Sequence, residues 1–402
     1  MNAIVLDGEQ RAALAVTRSL GRRGVKVFVG SEKGPSLASC SRYCANSFIY
    51  PSPYSDPSGF LQSLVGFAKS CGDTVLFPIT DVTLTEILLH KGILPENLRV
   101  PFDSYEKYIQ LTDKINLFRM AKELDVHVPP TLLSTDYDCG NPEIFRRKIS
   151  EFGFPVVIKS SVSKIRTDFG WIDSRVSYAN SEESLRNILA DDIYLKFPFL
   201  VQKRIHGPGV GIFFLMKEGE VLAKFAHKRI REKPPSGGVS VLSEGIDPPQ
   251  EASEAAAKIL GNFGWTGVAM VEFKIDLEKK VPALLEVNAR FWGSLQLSIF
   301  SGVDFPYLLY RMARGENIVN PEGYTVGVQS RWELGDLDHL LIRLFKNSSN
   351  ANVPLDQPKR LTLLKDFIFD CSRSSVRNEI LQKGDAKPFI HELKNYINYI
   401  LR

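Results

Sequence analysis

The chain of 402 residues has little of what defines disulfide-rich or zinc-binding proteins. Its five cysteines, an odd number, form no Cys-x-x-Cys pair, and its six histidines are dispersed. The cysteines are Cys40, Cys44, Cys71, Cys139 and Cys371. Such spacing argues against both a zinc cluster and a disulfide framework, and it fits a reducing compartment. We therefore expect a cytoplasmic protein with free thiols.

Long apolar runs and an excess of one charge are also missing. No run of about 18 apolar residues occurs, so we expect no membrane span. The start, MNAIVLDGEQ, has too short an apolar stretch and too early an acid for a signal peptide. Lysine and arginine number 50 against 46 acidic residues, and a net charge of +4 gives no reason to expect nucleic-acid binding. With 44% hydrophobic residues, the composition is that of an ordinary globular chain, and its length predicts about two to three domains.

The first part of the chain alternates strand and helix patterns. Apolar residues 2–7 predict a buried strand, a one-sided apolar stripe over 9–20 predicts a helix, and 25–29 predict the next strand. This order predicts a βαβ unit with a parallel sheet. The turn Asp7-Gly8-Glu9-Gln10-Arg11 has neither the Gly-x-Gly-x-x-Gly of a dinucleotide site nor the Gly-Lys-Ser/Thr of a P-loop. We expect an open parallel α/β domain over 1–104, without a classical nucleotide loop.

The middle of the chain combines helices with strands of antiparallel pattern. A helical pattern covers 105–124, and the expected strands are 154–159, 199–202, 211–216, 221–225, 267–276 and 282–288. After about residue 320 the pattern becomes mostly helical.

Three polar side chains interrupt two neighbouring apolar strands. Glu286 and Asn288 share one face of their strand because side chains alternate with a period of two. If this strand pairs with its neighbour, Glu272 can face the same side. Oxygen ligands without a thiolate or imidazole favour Mg²⁺ held together with substrate phosphates. The alternative, that these residues face solvent on a half-exposed sheet, stays open at this point.

Two lysines could supply positive charge to the same place. Lys159 ends an apolar strand, where a lone ammonium is unusual unless it meets an anion. The alternative is a lysine that extends its charge from the strand end to solvent. Lys114, in a helical pattern, would be unremarkable by itself.

Several segments, in order, resemble the ATP-grasp superfamily. They are Thr112-Asp-Lys114, Val128-Pro-Pro-Thr131, Phe154-Pro-Val-Val-Ile-Lys159, Leu200-Val-Gln-Lys203, Gly267-Val-Ala-Met-Val-Glu-Phe273 and Leu285-Glu-Val-Asn-Ala-Arg290. Within the superfamily the chain resembles the carbamoyl-phosphate-synthase-like and predicted ATP-dependent carboligase branch. The resemblance implies a pre-ATP-grasp domain at 1–104, an ATP-grasp domain at 105–320 with lobes of about 105–198 and 199–320, and a mostly helical region at 321–402.

The resemblance also implies roles for individual residues. Lys114 and Lys159 would contact ATP phosphates, and the hinge against the adenine would be formed by Gln202, Lys203 and Ile205. The metal ion, Mg²⁺ or Mn²⁺, would be held by Glu272, Glu286 and Asn288. Arg290, with Lys159, would stabilise the transferred phosphoryl group or an acyl phosphate. One departure is the phosphate-covering loop, which is usually rich in glycine. The segment Ser160–Gly170 has a single glycine, so Lys164 or Arg166 would have to compensate with side-chain charge.

A basic segment followed by a glycine pair is the candidate substrate site. His227-Lys-Arg-Ile-Arg231 precedes Ser236-Gly-Gly238, and we expect His227, Arg231, Gly237 and Gly238 to bind a substrate carboxylate, with the Arg231 guanidinium forked onto it. The alternative is a solvated basic hairpin end.

The expected activity is that of an ATP- and Mg-dependent ligase that phosphorylates a carboxylate and joins the acyl phosphate to an amine or similar nucleophile. The partners would be small molecules, and the chain could form a homodimer. Two alternatives stay open, namely phosphorylation of a carbamate-type substrate and a non-catalytic ATP-binding regulatory module.

Overall fold

The structure, a computed structural model, describes residues 1–136, 147–149, 151–319, 323–345, 358–373 and 375–401. The strands are β1 Asn2–Val5, β2 Val27–Ser31, β3 Cys44–Ile49, β4 Thr74–Phe77, β5 Leu98–Arg99, β6 Thr131–Leu133, β7 Val156–Ser160, β8 Lys164–Thr167, β9 Gly170–Asp173, β10 Ser177–Ala179, β11 Phe199–Lys203, β12 Gly209–Lys217, β13 Glu220–Lys233, β14 Val239–Gly245, β15 Gly267–Ile275, β16 Pro282–Asn288, β17 Gln329–Arg331 and β18 Val376–Asn378. The α-helices are α1 Arg11–Gly21, α2 Pro57–Lys69, α3 Asp81–Leu89, α4 Tyr105–Thr112, α5 Lys114–Glu123, α6 Glu182–Leu189, α7 Asp192–Lys196, α8 Gln250–Asn262, α9 Leu295–Ser301, α10 Phe305–Ala313, α11 Glu333–Phe345, α12 Arg360–Ser372 and α13 Lys387–Ile400.

The N-terminal sheet is parallel, as predicted, with the strand order β3-β2-β1-β4-β5. Asp7, just after β1, connects this strand to the start of α3. Its carboxylate accepts hydrogen bonds from the backbone of Ile79 (3.0 Å) and Thr80 (2.9 Å) and from the Thr83 hydroxyl (2.7 Å). Thr80 caps α3, because its hydroxyl accepts a hydrogen bond from the Thr83 amide. The Asp81 side chain is therefore available for other contacts.

The helical pattern at 105–124 is two helices and not one. Asp113 interrupts it with extended backbone, and its side chain accepts hydrogen bonds from the amides of Ile115 (2.8 Å) and Asn116 (3.1 Å). This is an N-terminal cap of α5, which a short acidic residue favours. The break places Lys114 on the first residue of α5, where its side chain turns inward.

A four-stranded antiparallel sheet follows, with the order β10-β7-β11-β6. It has a small core of its own, which includes Leu132, Ile158, Leu185 and Val201. The strand β11 pairs with β7 and β6 in this sheet, although the predicted lobe boundary at about 198/199 assigns it to the second lobe. The domain boundaries themselves stay a prediction.

The largest sheet has seven strands in the order β16-β15-β12-β13-β14-β17-β18. The expected strands 211–216 and 221–225 pair as the hairpin of β12 and β13, but β13 runs on to Lys233 and carries the basic segment into the sheet. The described residues after 320 are mostly helical, as expected, and they also add β17 and β18 to this sheet. The apolar side chains of this sheet and of the N-terminal domain form one continuous core, in which Phe77 stacks on Phe291. The large sheet is therefore fixed to the N-terminal domain.

Cys40, Cys44, Cys71 and Cys371 are free thiols, and Cys139 lies outside the described residues. In the part of the chain that the structure describes, every helix is too short or too polar to cross a bilayer.

Candidate active site

The two candidate carboxylates face each other on adjacent strands of the large sheet. Glu272 on β15 lies directly opposite Glu286 on β16, so the pairing that the sequence analysis required is present. The Asn288 amide nitrogen lies between the two carboxylates, 3.4 Å from Glu272 Oε1 and 3.2 Å from Glu286 Oε1. All three polar side chains therefore converge on one face of the sheet.

Lysine charges surround Glu286. Lys114, which is 4% exposed, places its Nζ 3.6 Å from Glu286 Oε2 and donates to the Ser163 hydroxyl at 3.1 Å. Lys159 lies on β7 of the four-stranded sheet and acts on Glu286 across the gap between the sheets. Among the described residues, the Lys159 ammonium makes no hydrogen bond or ion pair. A half-buried ammonium without a direct counterion is well suited to receive an anion.

The protonation of this cluster follows from its burial and its neighbours. Burial alone would raise the pKa of Glu286, but Lys114 and Lys159 outweigh burial and lower this pKa to about 2. Burial raises the pKa of Glu272, against the opposing effect of Arg229. Burial lowers the pKa of Lys159 to about 8, although the charge of Glu286 opposes this shift. Near neutral pH, Glu286 is ionised and Lys159 is mostly protonated.

Arg290 connects the cluster to the N-terminal domain. Its Nε lies 2.8 Å from Asp81 Oδ1 at the start of α3, and its Nη2 donates to Asn288 Oδ1 at 3.2 Å. Tyr108 donates to the same Asp81 oxygen at 2.9 Å. Asp81 therefore holds the Arg290 guanidinium beside Asn288.

A cavity of about 390 Å³ joins most of the predicted site residues. Those that line it are Lys159, Gln202, Lys203, Ile205, His227, Gly237, Gly238, Glu272, Glu286, Asn288 and Arg290. Lys114 lies behind Glu286, outside the lining but in contact with it. The cavity lies between the four-stranded sheet and the large sheet.

The predicted hinge segment forms one side of this cavity. Gln202, which is buried, donates to the Thr131 hydroxyl at 2.9 Å, and the Lys203 amide donates to the Pro130 carbonyl at 2.9 Å. Both contacts fix the end of β11 against β6. Ile205 follows directly and lines the cavity with its neighbours.

The structure does not bring Arg231 into the cavity with the other predicted substrate residues. Its guanidinium is buried outside the cavity. It donates two hydrogen bonds to the Asp336 carboxylate (2.6 and 2.8 Å) and forms an ion pair with Asp370 (2.9 Å). A β-bulge at Ile230 explains this, because the pairing of β13 with β14 shifts between Arg229 and Arg231. After the bulge the alternation of sides is inverted, so Arg231 turns away from the cavity.

The bulge also identifies the residues that sequence reasoning missed. Arg229 and Glu232 line the cavity; Arg229 Nη2 pairs with Glu272, and its Nη1 is 2.9 Å from Glu232 Oε1. Strict alternation from His227 would have found Arg229, but Glu232 can be placed only once the bulge is known. Arg229 thus takes the position expected for Arg231.

His227 lies in the cavity wall but does not act as a cation. It is 1% exposed, and burial lowers its pKa well below the usual value, so its ring is neutral. Its Nδ1 is 3.3 Å from the Ser294 hydroxyl. Of the predicted substrate residues, His227, Gly237 and Gly238 border the cavity, and positive charge at this end comes from Arg229.

The donor set fits a cation that is shared with phosphate oxygens. Within the described ranges, no group of three or more His, Cys, Asp or Glu side chains could hold a metal ion alone. Glu272, Glu286 and Asn288 instead offer two carboxylates and one amide, which leaves further coordination positions to a ligand and to water. Mg²⁺ is bound in this way in sites that act on nucleoside triphosphates.

Comparison with known proteins agrees with this geometry. Residues 196–333 match the family model described as ATP-grasp in the biosynthetic pathway with Ter operon. No curated protein sequence matches the chain.

Solved structures share the fold at low sequence identity. A biotin carboxylase of Campylobacter jejuni in complex with β-γ-ATP is 15% identical, with a TM-score of 0.63 over 82% of this chain and 74% of that one. The biotin carboxylase domain of the Hydrogenobacter thermophilus 2-oxoglutarate carboxylase, with MgADP and bicarbonate, is 17% identical, with a TM-score of 0.61 over 81% and 73%. An L-amino acid ligase of Bacillus licheniformis is 15% identical, with a TM-score of 0.55 over 78% and 74%.

At these identities the structures establish the fold, while the carboligase branch stays a prediction. The family model covers β15 and β16, which carry the two carboxylates and Asn288, and extends past Arg290. The chain has the ATP-grasp fold, as its ordered segments predict.

Proposed function

We propose that the chain is an ATP- and Mg-dependent ligase that phosphorylates a substrate carboxylate to an acyl phosphate and joins it to an amine or similar nucleophile. The observation that carries this proposal is the single cavity in which the paired carboxylates, Lys159 and the hinge segment meet. A binding module would need the hinge and a cation, but it would not need Glu272, Glu286, Asn288 and Arg290 together.

The two lysines act on the triphosphate by charge. Lys159 borders the cavity without a direct partner in the described part of the chain, so its ammonium is available to a phosphate oxygen. Lys114 is already held by Glu286 and Ser163, which fixes its position before a nucleotide binds. Charges that are fixed in advance stabilise a phosphoryl group in transfer without reorganisation.

Glu272, Glu286 and Asn288 would hold the metal ion. Mg²⁺ held by these residues would supply positive charge to the outer phosphates. The low pKa of Glu286 keeps this ligand ionised without competition from protons.

Arg290 would orient the substrate carboxylate and stabilise the acyl phosphate. Asp81 and Asn288 already hold its guanidinium at the metal side of the cavity. The second substrate would enter at the opposite end, beside His227, Gly237 and Gly238, where Arg229 supplies positive charge. Because His227 is neutral, it can accept a hydrogen bond from an amine.

The structural neighbours support both the reaction class and one alternative to it. The L-amino acid ligase is named for a ligase reaction, whereas the two carboxylase structures contain β-γ-ATP, or MgADP with bicarbonate. The carboxylase likeness supports phosphorylation of bicarbonate or a carbamate as the second candidate. A cytoplasmic location and a homodimer stay predictions.

Phosphate release from MgATP tests the proposal. The protein is assayed with pools of carboxylates, with the same pools plus pooled amines, and with bicarbonate alone. Stimulation that requires a carboxylate and rises with amines supports the ligase. Stimulation by bicarbonate alone supports the carboxylase-type alternative, and no stimulation by any pool, with MgATP still bound, supports a non-catalytic module.

A further inference from the structure

The hairpin of β8 and β9 occupies the chain segment that resembles the phosphate-covering loop, and it is attached to the N-terminal domain. The Trp171 amide donates to the Tyr54 carbonyl at 3.1 Å. Gly170, with φ at +114°, passes so close to this carbonyl that a Cβ would lie 2.2 Å from it. The Lys164 ammonium lies 5.2 Å from the centre of the Tyr54 ring. The backbone approach requires a glycine, which accounts for the single glycine of this loop.

A second attachment is made by a buried carboxylate. Glu86 on α3 is fully buried, and its Oε1 accepts hydrogen bonds from Arg166 Nε (2.9 Å) on β8 and from Trp171 Nε1 (3.0 Å) on β9. One oxygen thus holds both strands of the hairpin. Its other oxygen, Oε2, has no hydrogen-bond partner among the described residues. A buried carboxylate is costly unless its partners stay in place, so the docked position of the hairpin is favoured.

The same hairpin reaches the phosphate end of the site. Ser163, directly before β8, accepts a hydrogen bond from Lys114, which in turn contacts Glu286. A second cavity, of about 220 Å³, has Arg166 and Trp171 on one wall and Asn288 on another. Displacement of the hairpin would therefore change the surroundings of Lys114 and of the metal ligands.

Lys164 and Arg166, the residues expected to compensate for the missing glycines with side-chain charge, are both paired with carboxylates. Lys164 Nζ is 2.6 Å from Asp173 Oδ1, across the hairpin, and Arg166 forms an ion pair with Glu86. The hairpin therefore affects the phosphate end of the site through its position more than through its charge.

We infer that Glu86 is a positioning residue, which holds the β8–β9 hairpin over the phosphate end of the nucleotide site and thereby lets the N-terminal domain set the affinity for the triphosphate. This inference rests on the proposed ATP-binding function. The docked hairpin is the binding-competent state, and the apparent Kd equals the intrinsic Kd divided by the docked fraction. A variant that reduces this fraction to about a tenth binds MgATP about tenfold more weakly.

The test compares Glu86→Gln with a matched control, Glu182→Gln. Glu182 also pairs with an arginine, Arg186, at 2.8 Å, but on the exposed surface of α6. MgATP and AMP are titrated calorimetrically into wild type and both variants. Emission of Trp171 is followed in parallel, with Trp171→Phe as the blank for the other tryptophans.

We expect about tenfold weaker MgATP binding and a red-shifted Trp171 emission in Glu86→Gln, with AMP affinity unchanged and Glu182→Gln equal to wild type. Equal MgATP affinity, tighter MgATP binding, or a parallel loss of AMP binding in Glu86→Gln would overturn the inference. If Glu86→Gln does not fold, the test passes to Trp171→Phe, which removes only one hydrogen bond to Glu86. This variant must then also bind MgATP more weakly than wild type. Wild type that binds no MgATP would overturn the proposed function and this inference with it. If wild type binds MgATP and Glu86→Gln binds it with the same affinity, the role of Glu86 is refuted and the proposed function is not.

Discussion

Two charge networks in the large sheet lie close together on β13 but differ in how completely they are paired. On one side, Arg231 and Arg331 share Asp336 at 2.6 to 2.8 Å, and Arg231 also reaches Asp370. On the other side, Arg229 binds Glu272 at the edge of a cavity that Lys159 enters without a direct partner among the described residues. The first network is closed, and the second has capacity for a ligand.

This difference distinguishes charges that are fully paired within the chain from charges that can still bind a ligand. Residue type alone does not make this distinction, because each network pairs an arginine of β13 with carboxylates from other elements. A closed network stabilises the position of the elements it joins, whereas an open one has desolvated charge that a phosphate or a metal ion can satisfy. The predictions below test whether the two networks are as separate as their pairing indicates.

The largest effect is expected from Arg231→Met, compared with Arg229→Met. Loss of Arg231 leaves Asp336 and Asp370 without their shared partner, so we expect the free energy of unfolding to fall by about 3–5 kcal/mol, with MgATP affinity retained in the folded protein. Arg229→Met should weaken turnover far more than stability. Urea unfolding and phosphate release, measured on both variants, check this expectation. Matching effects in the two variants would show that the two networks are not separate.

Next is Glu286→Gln, which keeps the size of the side chain and removes its charge. We expect turnover to fall by at least about a hundredfold, because a ligand for Mg²⁺ is lost and the charge of Lys114 is no longer balanced. Thermal melting should show that the fold persists. Phosphate release is measured over a range of Mg²⁺ concentrations, and wild-type turnover at limiting Mg²⁺ would refute the metal role.

A smaller effect is expected from Lys159→Met, which keeps the aliphatic stem. ATP affinity should fall by about 1.5–3 kcal/mol, or roughly ten- to a hundredfold, because a charge-assisted hydrogen bond is lost. AMP affinity should hardly change. Calorimetric titration of both nucleotides decides the matter, since a lysine that only extends to solvent would leave ATP binding untouched.

The smallest effect concerns pH and His227. Burial lowers the pKa of this imidazole, so the unfolded chain takes up a proton near pH 6.5 while the folded chain does not. His227 therefore reduces stability as the pH falls below about 6.5, by up to about 1.4 kcal/mol per pH unit. His227→Asn should be less sensitive to acid than wild type when unfolding is measured at pH 7.5, 6.5 and 5.5. The exposed His206→Asn serves as the control and should follow wild type.

The sequence allowed the parallel N-terminal sheet and the acidic pair to be predicted, because both depend on local periodicity. Glu272 and Glu286 interrupt apolar strands joined by a short turn, so their pairing follows from the hairpin itself. The split of the helical pattern at Asp113 was missed, since a single cap residue decides it.

Contacts between distant segments could not be predicted in this way. The bulge at Ile230 inverts which side of β13 meets the cavity, and it depends on pairing with β14. The Arg290–Asp81 and Arg166–Glu86 contacts join residues far apart in the chain, and no periodicity indicates them.

The central claim is that the open network receives the phosphates of a nucleotide. A crystal structure of the protein with Mg²⁺ and a non-hydrolysable ATP analogue tests this most directly. We expect the adenine to lie beside the segment Gln202–Ile205, the outer phosphate oxygens to contact Lys159, and Mg²⁺ to bind Glu272 and Glu286. A nucleotide bound elsewhere, or phosphates that avoid Lys159 and the two carboxylates, would contradict it.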